Sequence, residues 1–263
     1  MTEREWPIKL GSILFTMVEP HRGHEVAYNR WYERDHFYAG CMIGEYCFAG
    51  DRFVATRELK ALRYPADSPI TKDPQVGSYL ALYWILDGHH DDWNRWAVRQ
   101  VRQLHADDRM FGDRDHIHTL LYRYAWSVSQ QADGVPPELA LDHPYGGLVA
   151  VMTDSAGDRD ETGAWLRDDQ LPAFLERLPG SQCVTFTPLP LLIDAPGDVP
   201  RVEADEARYL HLFFLRDDPR ATWASTFATL GEELAASGRA QVAWASPFIP
   251  TIPGTDTYTD QLW

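Results

Sequence analysis

The stretch Tyr28-Asn29-Arg30-Trp31-Tyr32-Glu33-Arg34-Asp35-His36-Phe37-Tyr38 decides how this sequence is read. At helical spacing, Tyr28, Trp31, Tyr32 and Asp35 fall on one face. A carboxylate on an otherwise aromatic face is out of pattern, and His36 stands next to it. A second version occurs further on as Trp165-Leu166-Arg167-Asp168-Asp169-Gln170-Leu171. There Trp165 matches Trp31 and Asp169 matches Asp35, while Leu166 replaces Tyr32 and Gln170 replaces His36. The pattern is that of a duplication in which one copy kept a titratable pair and the other lost it.

Other blocks repeat in the same order. Gly146-Gly-Leu-Val-Ala-Val-Met152 matches Gly11-Ser-Ile-Leu-Phe-Thr-Met17, and Tyr209-Leu-His-Leu-Phe-Phe214 matches Tyr79-Leu-Ala-Leu-Tyr-Trp84. Trp223 matches Trp93, and Ala243-Trp244 echoes Ala125-Trp126. Apolar runs at 12–18, 47–57, 79–86 and 116–126 predict strands, with helices over 24–39 and from Trp93 to Leu104. Each repeat is therefore βαββαβ, which folds as a four-stranded antiparallel sheet with both helices on one face. The strands at 79–86 and 209–215 are apolar on both faces, so the face without helices must be buried too. The predicted fold class is α+β: two ferredoxin-like repeats packed sheet to sheet as an internal, pseudo-dimeric α+β barrel. The expected units are residues 1–130, a Gly- and Pro-bearing linker at 131–145, and residues 146–263. Residues 63–77 and the Pro- and acid-rich 188–206 read as long loops, the first as a lid or an insertion. The tail from 247 is expected to wrap a neighbour and anchor by Trp263.

With 263 residues, 44% hydrophobic and 24% charged, the composition is that of a globular protein. A net charge of −15 argues against a nucleic-acid partner and against docking on anionic lipid. No apolar run approaches the roughly 20 residues of a membrane span. Neither a secretory leader nor a metal-type cysteine spacing is seen among Cys41, Cys47 and Cys183, so a cytoplasmic setting is expected. The chain is expected to act as a monomeric pseudo-dimer or a homodimer, with a small apolar or aromatic substrate as its partner.

The Trp-Tyr-x-x-x-His pattern of Trp31, Tyr32 and His36 resembles the dimeric α+β barrel superfamily, in particular its EthD-like members. The proline those members place two residues after the histidine is Tyr38 here. The resemblance implies the barrel fold. It permits isomerases, cyclases, lyases and quinone-forming monooxygenases without cofactor, as well as haem enzymes, and selects none of them.

His36, near a predicted helix C-terminus, is the leading acid/base candidate. Tyr32, Asp35 and Arg52 join it in the expected catalytic set, with Arg52 as an oxyanion holder. The persistence of Asp35 as Asp169 favours a structural pairing for that carboxylate instead. Tyr28, Trp31, Tyr38, Trp84 and His118 are the expected substrate-binding residues, each with an aromatic-core role as the plainer alternative. His116 and His118 share one side of a regular strand. With His36 they match the residue types of a three-histidine metal site, but two histidines at strand spacing are too little for a metal assignment, and none is made. The His89-His90-Asp91-Asp92 run reads as a helix cap. Gly-x-Ser-x-Gly, Cys-x-x-Cys and Gly-rich phosphate loops are absent from the sequence.

The leading expectation is a cofactor-independent acid/base enzyme of isomerase, lyase or cyclase type, acting on an apolar oxygenated ring compound such as a lactone, phenol or polyketide-like molecule. The alternatives are a non-catalytic small-molecule binding protein, and a metal- or haem-dependent oxidoreductase or cofactor-free monooxygenase. One working cavity is expected, in the N-terminal repeat, with its C-terminal counterpart filled by side chains.

Overall fold

The computed structural model describes residues 6–190 and 204–263. Most of the expected 188–206 loop lies outside them. The first repeat runs β1 (Leu10–Pro20), α1 (Glu25–Trp31), β2 (Cys47–Val54), the short α2 (Arg57–Lys60), β3 (Tyr79–Leu86), α3 (His90–Ala106) and β4 (Arg114–Ser129). The second runs β5 (Gly147–Ser155), α4 (Arg159–Trp165), α5 (Leu171–Leu175), β6 (Gln182–Leu189), β7 (Arg208–Leu215), α6 (Pro219–Thr222), α7 (Phe227–Ser237) and β8 (Ala240–Pro250).

The eight strands close into one barrel in the order β1-β3-β2-β8-β5-β7-β6-β4. Within it, β4-β1-β3-β2 and β8-β5-β7-β6 are the same antiparallel ferredoxin-like order, as the duplication requires. Alternate residues face inward. Ile13, Phe15, Leu82 and Trp84 from the first sheet meet Leu148, Leu212 and Phe214 from the second in one buried core. This explains why strands with helices on only one face are apolar on both.

The two seams are unequal. β4 and β6 pair along Leu121–Ser129, whereas β2 and β8 share only Phe53↔Pro250 and Val54↔Ile249. The loop after β2 lengthens the weak seam. Tyr64 pairs with Ala245 of β8, its backbone N–H donating at 3.3 Å and its carbonyl accepting at 2.8 Å. Beside it the buried Arg63 donates to Ser246 Oγ (2.7 Å) and to the carbonyls of Pro74 (3.0 Å), Val76 (2.5 Å) and Gly77 (2.7 Å). Burial pulls the Arg63 guanidinium down to about 9. The loop expected as a lid or an insertion is thus a strap bolted across both halves.

Residues 131–145, between the two repeats, pack against the core: Ala140, Leu141 and Tyr145 are buried, and Trp84 Nε1 donates to the Pro137 carbonyl at 2.9 Å. The tail folds back on its own chain. Asn29 Nδ2 donates to the Thr255 carbonyl, Arg30 pairs with Asp256, and Trp263 Nε1 donates to Glu25 Oε1 at 2.7 Å. Among the described residues no helix is long and apolar enough to cross a membrane.

Because the Arg63 Nη atoms satisfy three backbone carbonyls and its Nε the Ser246 hydroxyl in a dry site, Arg63→Met strands those acceptors. We expect a loss of about 3 kcal/mol in urea unfolding, within the usual range for breaking a buried charged network. A change under about 0.5 kcal/mol, the size of an ordinary surface substitution, would show that the strap does not hold the seam.

Candidate functional site

The segment predicted as one α-helix over 24–39 changes type in the middle. After Trp31 the backbone opens into a π-helix, Tyr32–Met42, with i→i+5 bonding. The same change follows Trp165 in the second repeat, where Leu166–Gln170 is π-helical. The wider turn brings Tyr32, His36 and Gly40 into one line, four residues apart, against the outer face of the first sheet. It also swings Asp35 away. Asp35 pairs instead with the exposed Arg109, whose Nε donates at 3.2 Å, and so it leaves the catalytic set.

Between this π-helix, α3 and the sheet lies a cavity of about 100 Å³. Leu14, Val18 and Leu121 form its floor and Trp93, Ala97 and Val98 its roof. Its polar groups are Tyr32 and His36 from the π-helix, Asn94 from α3, and Thr16, Arg114, His116 and Thr119 from the strands. Thr16 and Thr119 lie opposite each other in the β1–β4 ladder, their hydroxyls 2.9 Å apart. Thr119 Oγ1 is also 2.9 Å from His116 Nδ1.

A bulge sets this arrangement. Met17 pairs with His118 but Val18 pairs with His116, so Ile117 is the extra residue. The bulge breaks the two-residue alternation, and the two histidines end on opposite sides of the sheet. His116 faces the cavity. His118 faces the barrel interior, with its Nε2 2.7 Å from Tyr122 Oη, and burial pulls its imidazole down to about 3. The three-histidine arrangement therefore does not form, and among the described residues no three His, Cys, Asp or Glu side chains gather as metal ligands.

His36 is clamped. Its ring stacks on Trp31 at 4.5 Å and 19° and meets Tyr32 edge-on at 5.3 Å. On the other side is Gly40, where a Cβ would stand 2.8 Å from the imidazole Cε1. Trp31 is held in turn by Phe111 (5.5 Å), by the Arg114 guanidinium (5.0 Å) and by its Nε1 donating to the Arg109 carbonyl. The Tyr32 hydroxyl is 2.9 Å from that of Tyr83, and burial drives both phenols well above their ordinary range, so they stay neutral.

The remaining expected residues are dispersed. Arg52 lies behind Tyr32 rather than in the cavity, buried against the faces of Tyr32 (4.6 Å) and Tyr79 (5.4 Å), with Glu33 at 3.9 Å. Its place is to back the Tyr32 ring. Tyr28 is buried in the aromatic cluster with Trp31, Tyr32 and Tyr79, its phenol raised to about 12 by burial. Tyr38 is 55% exposed and points away. Trp84 faces the barrel interior against Phe186 and Phe214 and does not line the cavity. Sequence reasoning missed Thr16, Thr119 and the α3 roof. The helical stripe Trp93, Ala97, Val101 was the one signal available for that roof.

The C-terminal counterpart is lined by apolar side chains. Leu166 and Leu171, in place of the Tyr32 region, pack with Phe174, Phe213 and Phe227 in a second buried cluster. His211 there is held by Thr153 (2.9 Å) and Thr185 (3.0 Å), with burial pulling it down to about 3.

No family model matches the sequence, and no curated protein is similar to it. Solved structures do match in fold. A presumed chlorite dismutase superposes with TM-score 0.52 and 12% identity, over 97% of this chain and all of the other. An anthrone oxidase-like protein gives 0.51 and 11%, covering 94% of this chain and 95% of its own. A variant of DypB from Rhodococcus jostii RHA1, in complex with haem, gives 0.51 and 10%, covering 96% of each chain. The fold is thus of the dimeric α+β barrel kind, and these structures carry no specific EthD signal. They also overturn the expectation of a cofactor-independent isomerase, lyase or cyclase, because structures of this fold bear the names of redox proteins.

Haem itself does not fit the residues present. The cavity of about 100 Å³ falls short of the ~300 Å³ at which pockets for drug-sized ligands begin, and a porphyrin is at least that large. His36 is stacked flat on Trp31, and His116 is engaged at both nitrogens, by Thr119 and, at 3.4 Å, by Arg114. The second half offers a solid apolar cluster.

The clamp has a direct test. In Gly40→Ala the new methyl must displace the His36 ring from Trp31, at a cost of about 1–3 kcal/mol in stability. The His36 ring protons, shifted upfield in NMR by the Trp31 ring current, are expected to return toward random-coil positions. Unchanged shifts would show that Gly40 does not hold the ring in place.

Proposed function

We propose that the chain is an oxidoreductase that takes a single-ring phenol into the N-terminal cavity and oxidises it with dioxygen to a quinone. The observation that carries this reading is the cavity itself. It is walled by apolar side chains, carries its polar groups at His36, Asn94, Arg114 and the Thr16–Thr119–His116 chain, and at about 100 Å³ admits nothing larger than a single ring. An apolar protein cavity of roughly 150 Å³ accommodates benzene, so a phenol enters this smaller cavity only as its lining side chains yield.

The stoichiometry is a phenol plus dioxygen giving a quinone plus water, so no external reductant enters. A phenol in this site places its ring between Leu14, Val18 and Leu121 below and Trp93, Ala97 and Val98 above. Its oxygen meets the polar side, where His36 donates an N–H to the phenolate as it forms. Charge–dipole stabilisation of this kind is strong where water is excluded. The names of an anthrone oxidase-like protein and a haem-bound DypB variant, both of this fold, support an oxidative reading. Proximity of ring and dioxygen in an apolar-walled cavity supplies the rest.

Oxygen consumption with a panel of single-ring phenols tests the proposal, with labelled dioxygen used to trace the quinone oxygen. We expect uptake matched one to one by quinone, without added haem. His36→Gln, which copies Gln170 of the second repeat, should fold normally and lose about 10²-fold in kcat. The reading fails if oxygen is consumed only after haem is supplied, if ligands bind without turnover, or if His36→Gln keeps the wild-type rate.

A further inference from the structure

Two spaces of different chemistry meet at His116. One is the apolar cavity. The other is an open vestibule of about 480 Å³ on the outer surface, bounded by His105, Asp108, Gly112 and Asp115. Met110, Arg114 and His116 line both. On the cavity side a continuous hydrogen-bonded chain leads inward from His116: Nδ1 to Thr119 Oγ1 at 2.9 Å, then Thr119 Oγ1 to Thr16 Oγ1 at 2.9 Å. Both threonines are about 95% buried, so the chain begins in the dry floor and ends at a group that also faces the vestibule. A paired threonine ladder alone needs no third partner. The bulge at Ile117 supplies one by turning His116 outward, at the cost of an interrupted ladder.

We infer that Thr16, Thr119 and His116 form a proton relay between the cavity and the vestibule. The relay rests on the phenol reading above and adds the route by which the phenolic proton leaves. The ligand O–H bond breaks as its proton passes to Thr16 Oγ1. Thr16 gives its own hydroxyl proton to Thr119, and Thr119 gives its proton to Nδ1 of His116. For Nδ1 to accept, the imidazole proton sits on Nε2, so the Arg114 guanidinium, a donor only, turns aside and vestibule water takes that proton. Each hydroxyl ends neutral, and no electron moves in this step. His116 suits the terminus because one imidazole nitrogen can accept while the other donates. Facing it are Arg114 on its own strand, 3.4 Å from Nε2, and His105, Asp108 and Asp115 around the vestibule.

The test uses the full chain and 4-nitrophenol, a single-ring probe whose anion is coloured, mixed in weakly buffered solution with a pH indicator. Wild type should show phenolate colour and proton release rising together. His116→Gln, His116→Asn and Thr119→Val should each slow both signals about tenfold, the low end of general acid–base effects, with probe affinity changed less than about threefold. Imidazole added to His116→Gly should restore the rate through the vestibule, and the same addition to Thr119→Val should not, because that break lies further in. Variants that ionise the probe as fast as wild type would overturn the relay, as would wild type binding it neutral with no proton released. Failure of the probe to bind would remove both relay and cavity assignment. Intact proton release without oxygen uptake would instead sink the oxidative reading and leave the relay standing.

Discussion

Closure of the barrel is the constraint on which everything else depends. A four-stranded sheet with helices on one side leaves an apolar face open, and each half of this chain satisfies that need with the other half. The inner residues Phe15, Leu82 and Trp84 have no use except against Leu148, Leu212 and Phe214. The β4–β6 seam is long, but β2–β8 holds by two residue pairs. Hence the 63–78 strap is part of the fold: without the Tyr64–Ala245 pairing and the Arg63 network, the weaker seam would expose strand edges.

Closure consumes both inner faces and leaves two outer faces, one per half, as the places where a cavity can form. The two are built alike down to the π-helical turn after Trp31 and Trp165. They differ in what fills the turn. Leu166 packs the C-terminal face solid. In the N-terminal half, Tyr32 turns its hydroxyl to Tyr83, Gly40 leaves room beside His36, and a cavity remains. A duplicated fold thus carries one face with a cavity and one with a buried apolar cluster.

In the cavity, geometry comes from two local irregularities rather than from regular elements. The π-helix aligns Tyr32, His36 and Gly40, and the bulge at Ile117 brings His116 to Thr119. Irregularities of both kinds concentrate at functional sites because they re-aim side chains that a regular helix or strand would place elsewhere. Aromatic stacking on Trp31 then fixes the imidazole against a helix that is wider and less regular than an α-helix.

By itself the sequence determined the duplication, the βαββαβ order of each half and the burial of both sheet faces. These follow from periodicity and from one copy compared with the other, which are local properties of the chain. Tertiary structure alone decided that Asp35 turns out to Arg109, that His118 and Trp84 point into the barrel, and that the tail closes over Glu25 and Asn29 of its own chain. The reason is physical. A single extra residue in β4 inverts the facing of the strand on one side of it, and a change from 3.6 residues per turn to a wider one rotates every later side chain. Neither leaves a mark in composition or period, because both are set by the packing of a strand or helix against its neighbours.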